Sequence, residues 1–416
     1  MKKVETMSAH GATTISKSWF RKITALVMAL CLTFSYGCAG NSQSSDASGS
    51  PSTANSAAEQ KFDGKITIGV SAGITGSIPM AGERTLQGVK MAVEEINAKG
   101  GVLGKELVIE VADDQSNQSV VINAVNKLAS NPDVVAIIGP HLSGSVMAAS
   151  DTLKKAKVPF LSQGTSPKLR KIGNEYLFKI RPCDAISAEV AAKYAVEDLG
   201  AKKVGISYNN NDFGVGGKGV IEEYLTKVGV PFVSEGHNSG DKDLTGQIMK
   251  LKNENVDAVI SWTDDAESAL TARQFYELNL NKPVITSTAT STQQVLDLID
   301  EKAVEGFYSV CDFVITDPSA EVQDFAKRFK EKYGIAPDQY AGNNYSVTYL
   351  LADAITRAGK ADREAIREAL ASTKGVSGLS GTYTNDSNNE LIHECKLVQI
   401  KSKVPQVIKT ISVDVK

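Results

Sequence analysis

The chain has 416 residues, 42% of them hydrophobic, with a formal net charge of −3 and a pI ≈ 6.0. This is an ordinary globular composition without the basic footprint of a nucleic-acid binder, and its length suggests two or three domains.

In chain order, the first residues lie outside the fold. Lys17, Arg21 and Lys22 flank the apolar run Ile23–Phe34, which is short for a bilayer span and suits a signal-peptide core. Small Gly37 then precedes Cys38, a pattern that resembles the lipidation box of bacterial lipoproteins, with Ser35 where a leucine is usual. The following "AGNSQSSDASGSPSTANSAAEQ" has almost nothing to bury and reads as a flexible tether. Together these features predict export, with the body held outside the membrane by a lipid on Cys38.

From Ile66 the chain alternates strand and helix. "KITIGV" reads as a strand, and Leu86, Val89, Val93 and Ile96 then share one helical face that stops at Gly100-Gly101. "ELVIEVA" and "VVAIIG" are further strands, the second apolar on both faces as a buried parallel sheet requires. After Arg181-Pro182 the rhythm restarts with a helix, the strand "KKVGISY" and strands "VPFVSEG", "VDAVISW" and "KPVITST". Three helices follow, then "LSGTYT" and the hairpin-like pair "ECKLVQIK" and "PQVIKTISV". Two successive α/β units of this kind predict two similar doubly wound lobes, completed by the last region.

One stretch matches a dinucleotide-binding string. Gly214-x-Gly216-x-x-Gly219 follows a strand-like run, and Glu235 stands where a ribose-binding acid is expected. However, "NNNDF" separates Tyr208 from Gly214, whereas a phosphate loop needs the strand to run almost directly into its first glycine. Export also makes a nicotinamide cofactor improbable. The glycines therefore predict a turn and close helix–strand packing, and no cofactor is expected.

Catalytic constellations are absent from the sequence. His10, His141, His237 and His393 have no metal-ligand spacing, and no G-x-S-x-G elbow occurs. Asp113-Asp114 suits a strand-end turn. Nothing supplies a nucleophile, a base and an orienting group together, so an enzyme is not expected.

Several runs in order then resemble the branched-chain amino acid type of ABC-transporter solute-binding protein. They are "ITIGVSAGITGSIPMAGERTLQGVKMAVEEINAKGGVLGKELVIEVADDQSN", "VVAIIGPHLSGSVMAAS", "VPFLSQGTSP", "VDAVISW" and "FAKRFKEKYGIAPDQYAGNNYSVTYLLADAI". The resemblance runs from Lys65 to about Lys409. It implies an α/β fold of two doubly wound parallel-sheet lobes joined by a three-crossover hinge, the periplasmic binding protein type 1 arrangement that closes on ligand like a flytrap. The expected organisation is a signal peptide over 1–37 and a lipidated tether over 38–63. The first lobe takes 64–182 plus 310–375, and the second takes 183–309 plus 376–416. Cys183 and Cys311 fall near expected crossovers, where a disulfide is possible; buried thiols, with Cys395, are the simpler reading.

The resemblance also implies site residues. Ser143 is placed to hold an α-carboxylate, with the free N–H of Gly144 at a helix start, although an N-cap role serves the helix equally. In "SQGTSP", Gln163 or Gly164 supplies a carbonyl to the ammonium, and Thr165 meets both charged groups. Phe213 covers the ligand. Asp264, which aligns with another contact, can neutralise an ammonium. Thr288 lies in "TSTATST", where branched-chain binders commonly carry a Glu, and Ala81 replaces a tyrosine of some relatives. Either Asp264 or Asp265 therefore takes over, or the ligand is not a standard α-amino acid. The implied protein is a monomer that delivers an amino acid or close relative to an ABC permease. A sensor presenting its closed state to a receptor or kinase, or a binder of an amide or small organic acid, is the alternative.

Overall fold

Strand and helix alternate as the hydrophobic pattern dictates. The structure is a computed structural model that describes residues 61–413. The expected signal peptide, Cys38 and nearly all of the tether lie outside those residues. The first lobe begins β1 (Lys65–Ala72), α1 (Pro79–Ala98), β2 (Glu106–Asp113), α2 (Gln118–Ser130), β3 (Val134–Ile138), α3 (Ser143–Lys155), β4 (Phe160–Ser162) and β5 (Leu177–Lys179). All five strands are parallel, in the order β2-β1-β3-β4-β5. Every residue of β3 is buried, because helices cover both faces of the sheet.

The second lobe runs α4 (Asp184–Lys193), β6 (Val204–Asn209), α5 (Asp212–Lys227), β7 (Phe232–His237), α6 (Thr245–Asn253), β8 (Ala258–Trp262), α7 (Asp265–Glu277), β9 (Val284–Thr286), α8 (Gln293–Asp297), α9 (Glu301–Val304) and β10 (Tyr308–Cys311). The chain then builds α10 (Ala320–Tyr333), α11 (Gln339–Ala358), α12 (Arg363–Ala371), β11 (Val376–Gly378), β12 (Gly381–Asn385) and β13 (Leu391–Ile392). It ends in the hairpin β14 (Cys395–Lys401) and β15 (Val404–Ile411). The second sheet has the order β15-β14-β10-β9-β8-β6-β7. Five of its strands are parallel and the hairpin lies antiparallel on one edge.

The late helices complete the first lobe. Val347, Leu351 and Ile355 of α11 and Ile366 of α12 share a core with Ile68, Val70 and Ile138. Fully burying one such side chain stabilises by roughly 1.5–3 kcal/mol. Asp338 caps α11 by accepting from Ala341 N, and Gly359 ends it in the left-handed region at φ 67. Tyr383 and Leu391 belong to the same first-lobe core, whereas Cys395 and Leu397 belong to the second. The segment from 376 to 394, expected in the second lobe, therefore packs on the first. Its three short antiparallel strands form a separate small sheet rather than extending the large one.

The chain passes between lobes near Arg181, Asp312 and His393, and these side chains meet. Arg181 donates to Asp312 from Nε at 2.8 Å and from Nη2 at 3.0 Å. Asn343 Nδ2 donates to the same carboxylate at 2.9 Å, and His393 Nε2 lies 3.7 Å from it. Cys183, Cys311 and Cys395 flank the crossovers as buried free thiols, and no disulfide joins Cys183 to Cys311.

Candidate functional site

The site lies where strand ends and helix starts of the two lobes face each other. From the first lobe, β3 leads into α3 and β4 leads into the loop of residues 163–166. Ser143 is the first residue of α3, and Leu142 occupies the cap position without a side-chain bond, so Ser143 does not cap the helix. Its hydroxyl instead accepts from the N–H of Ser166 at 3.2 Å, which ties the two loops together. Gly144 follows; a Cβ there would lie 2.2 Å from Gln118 Nε2 and 3.3 Å from Asp212 Oδ2 of the other lobe. Gly164 donates its N–H to Ser162 Oγ and leaves no room for a side chain beside Leu169 and Val146.

The second lobe supplies the opposite wall. The first strand-to-helix turn places Phe213 in the opening turn of α5, tilted over Trp262 with ring centroids 6.1 Å apart. Asn211 caps this helix by accepting from Gly214 N. The fingerprint glycines sit inside α5 rather than in a phosphate loop. A Cβ on Gly214 would lie 2.1 Å from Asn209 O, and one on Gly217 would lie 2.2 Å from the Trp262 ring. One on Gly216 would meet Ser166 Oγ at 2.8 Å and Pro167 at 2.9 Å, across the cleft. Beside it, Lys168 donates to Asp212 at 2.8 Å, so the lobes are closed on each other at this rim.

Three of the expected residues line one pocket. Thr165, Phe213 and Thr288 enclose it together with Trp262, Arg181 and Asp184. Asp184 is the residue that sequence reasoning missed. It is 2% exposed, its Oδ2 accepts from Thr165 Oγ1 at 3.1 Å, and its Oδ1 accepts from Ser187 at 3.2 Å. It makes no ion pair among the described residues. Burial raises its pKa to about 7, against the opposing pull of Thr165, Arg181 and Trp262. Its place directly after the "RPC" crossover was the available signal: the first residue of a helix at a lobe boundary faces the cleft.

The acid expected from the sequence, Asp264, does not line this pocket. Asp264 is the cap position of α7 but makes no capping bond, and its Oδ2 accepts from Asn211 at 2.6 Å. Its backbone N–H donates to Asn209, so Asp264 braces the mouth of the second lobe from within. Asp265 reaches across instead, accepting from Tyr340 of α11 at 2.8 Å and 2.9 Å. Burial lifts Asp264 to about 6 and Asp265 to about 7. Thr288 donates to Gln339 Oε1, which also accepts from Arg181 at 3.1 Å. Gln163 lies in an adjoining first-lobe pocket with His141. Asp113 holds the β2-end turn, accepting from Ile74 and Gln115, as a strand-end residue does. No group of acids, histidines and cysteines suited to a metal occurs among the described residues.

The two lobes thus close over a small buried volume lined by Asp184, a carboxylate in no ion pair among the described residues. A profile of the periplasmic binding protein family matches residues 65–405. The chain belongs to the periplasmic binding protein family. This binding protein is 30% identical over 332 residues to the Leu/Ile/Val-binding protein BraC3 of Rhizobium johnstonii, covering 78% of this chain and 89% of that relative. Its fold is similar to that of the leucine binding protein LivK of Thermotoga maritima, with a TM-score of 0.78, 27% identity, and 83% and 99% of the two chains covered. It is also similar to the branched-chain amino acid transporter substrate binding protein LivJ of Streptococcus pneumoniae in complex with isoleucine, with a TM-score of 0.76, 25% identity, and 84% and 99% covered. The two-lobed α/β fold and the role in solute binding, rather than catalysis, agree with the sequence reading.

Proposed function

We propose that the cleft captures an amino acid or close relative and that the closed form is read by an ABC permease. The carboxylate of the ligand lies at the start of α3, near Ser143 and Gly144, with Thr165 beside it. The ammonium meets Asp184, with Phe213 and Trp262 as apolar cover. One observation carries this reading: a buried carboxylate, hydrogen-bonded to Thr165, makes no ion pair among the described residues. An ammonium supplies a cation, and a ligand that prefers the closed state draws the lobes together. The relatives named for leucine, isoleucine and valine support the amino acid class. Because Thr288 carries no charge, Asp184 replaces the acid that branched-chain binders have there. The protein works as a monomer outside the cytoplasmic membrane, and the Gly37-Cys38 pattern supports a lipid anchor.

A thermal-shift panel of amino acids, amides and small organic acids on the purified protein tests the ligand class. Ligand at ~100-fold its Kd adds about 2.7 kcal/mol to stability. An L-amino acid should raise Tm while the same molecule without its ammonium should not. A panel in which only non-amino ligands raise Tm contradicts the reading.

A further inference from the structure

A second small pocket lies beside the first, at the ends of β1, β3 and β4 and against the first turn of α1. Ser71, Thr85, His141, Gln163 and Asn344 supply its polar walls, and no Asp, Glu, Lys or Arg lines it. Most of these groups are already committed. Ser71 donates to Asp114 at 2.7 Å, and Asn344 donates to Thr85 and to the carbonyl of Tyr340. Two buried atoms have no partner: Gln163 Oε1 and His141 Nδ1. Gln163 is only 4% exposed, so its idle carbonyl is destabilising unless something donates to it.

These atoms adjoin the ligand cleft. Gln163 precedes Thr165 by two residues and His141 precedes Ser143 by two, a reach of about 7 Å along extended chain. The His141 ring packs edge-on to Tyr340 at 4.9 Å, and Tyr340 in turn holds Asp265 across the cleft. A side chain growing from an amino acid held by Thr165 and Ser143 therefore has this pocket within reach. Ala81, buried between the lining residues Ile78 and Gly82, adds no bulk that would close it.

We infer that this pocket receives the side chain of the ligand, and that Gln163 and His141 select an uncharged, hydrogen-bonding side chain such as a carboxamide or hydroxyl over an aliphatic one. The inference rests on the amino acid reading above and narrows it. A carboxamide offers the donor that Gln163 Oε1 lacks and an acceptor for a ring N–H or amide N–H. His141 stays uncharged across the physiological range, because burial and Arg181 push its pKa down to about 3. The pocket thus offers no fixed charge to an acidic or basic side chain. An aliphatic side chain would leave both buried atoms unpaired, which is how a polar site rejects an apolar isostere.

Titration calorimetry of the purified protein with two near-isosteric pairs, asparagine against leucine and threonine against valine, tests this. The polar member of at least one pair should bind tenfold or more tightly than its partner. Gln163→Leu should shrink that ratio toward one. Leucine and valine binding as tightly as or more tightly than asparagine and threonine overturns the inference and leaves the amino acid reading standing. Failure of every amino acid to bind overturns both.

Discussion

Asp184 lies 19 residues beyond Thr165 in the chain, yet their side chains are 3.1 Å apart. That contact makes the carboxylate testable by pH. Its folded-state pKa of about 7 stands above the ordinary 3.8, so the empty folded protein keeps a proton that the unfolded chain releases. Stability of the empty protein therefore falls as pH rises from about 4 to 7. An ammonium needs the ionised form, so amino acid affinity should rise up to tenfold per pH unit toward pH 7 and level off above. Asp264 and Asp338, near 6, and Asp265, near 7, titrate in the same range. Asp184→Asn separates them: calorimetry across pH should show affinity lowered by about 2–5 kcal/mol and the pH dependence flattened. An unchanged pH profile in that variant would assign the effect to its neighbours. At this scale the family resemblance pointed to Thr165, Phe213 and Thr288, and the structure brings the three to one pocket. Asp184 was marked only by its place directly after the Arg181-Pro182-Cys183 crossover, since its partner Thr165 is brought in by the fold.

Helix α5 shows how one element answers three neighbours. Gly214, Gly216 and Gly219 match a cofactor string, but the structure gives the helix's glycines, Gly217 among them, different roles. Gly217 admits the Trp262 ring, Gly216 admits Ser166 and Pro167 of the other lobe, and Gly219 faces open space. A graded series of alanine variants follows. Gly217→Ala should lose about 1–3 kcal/mol in urea denaturation, because the added methyl overpacks against a buried indole. Gly219→Ala should gain about 0.5–1 kcal/mol, since an exposed helix interior favours alanine. Gly216→Ala should leave unfolding nearly unchanged and weaken ligand binding instead, because its clash arises only when the lobes close. Equal Tm losses in all three would contradict this division. The spacer "NNNDF" was the legible cue that no phosphate loop is present; it supplies Asn211, which caps α5. Short strands were harder to place. β11–β13 are only two to five residues long, and only the packing of Val376, Tyr383 and Leu391 in the core with Ile68 and Leu351 assigns them to the first lobe.

For the whole molecule, the hinge is stapled by charge rather than by sulfur. Burial alone would raise the pKa of Asp312, but Arg181 and His393 outweigh it and hold the carboxyl well below 3.8. A lowered pKa gives stability that is full above about pH 4 and lost as pH falls through the folded-state value. Asp312→Asn leaves Arg181 buried without its partner and should cost about 3–5 kcal/mol at pH 7, with a smaller loss at pH 3. The two-lobed plan was readable from alternating buried strands and helices, since covering both faces of a parallel sheet leaves a repeated apolar signature. The return points of the chain were less so, because a crossover is set by tertiary packing and carries no periodicity.

If the lobes close on an amino acid whose ammonium is held by Asp184, losing that carboxylate must weaken binding. Titration calorimetry of the purified protein and its Asp184→Asn variant with the twenty standard amino acids tests it most directly. One-to-one binding of at least one of them is expected, weakened roughly 30-fold or more in the variant. Binding of an amino acid with equal affinity by both proteins, or of none by either, would contradict it.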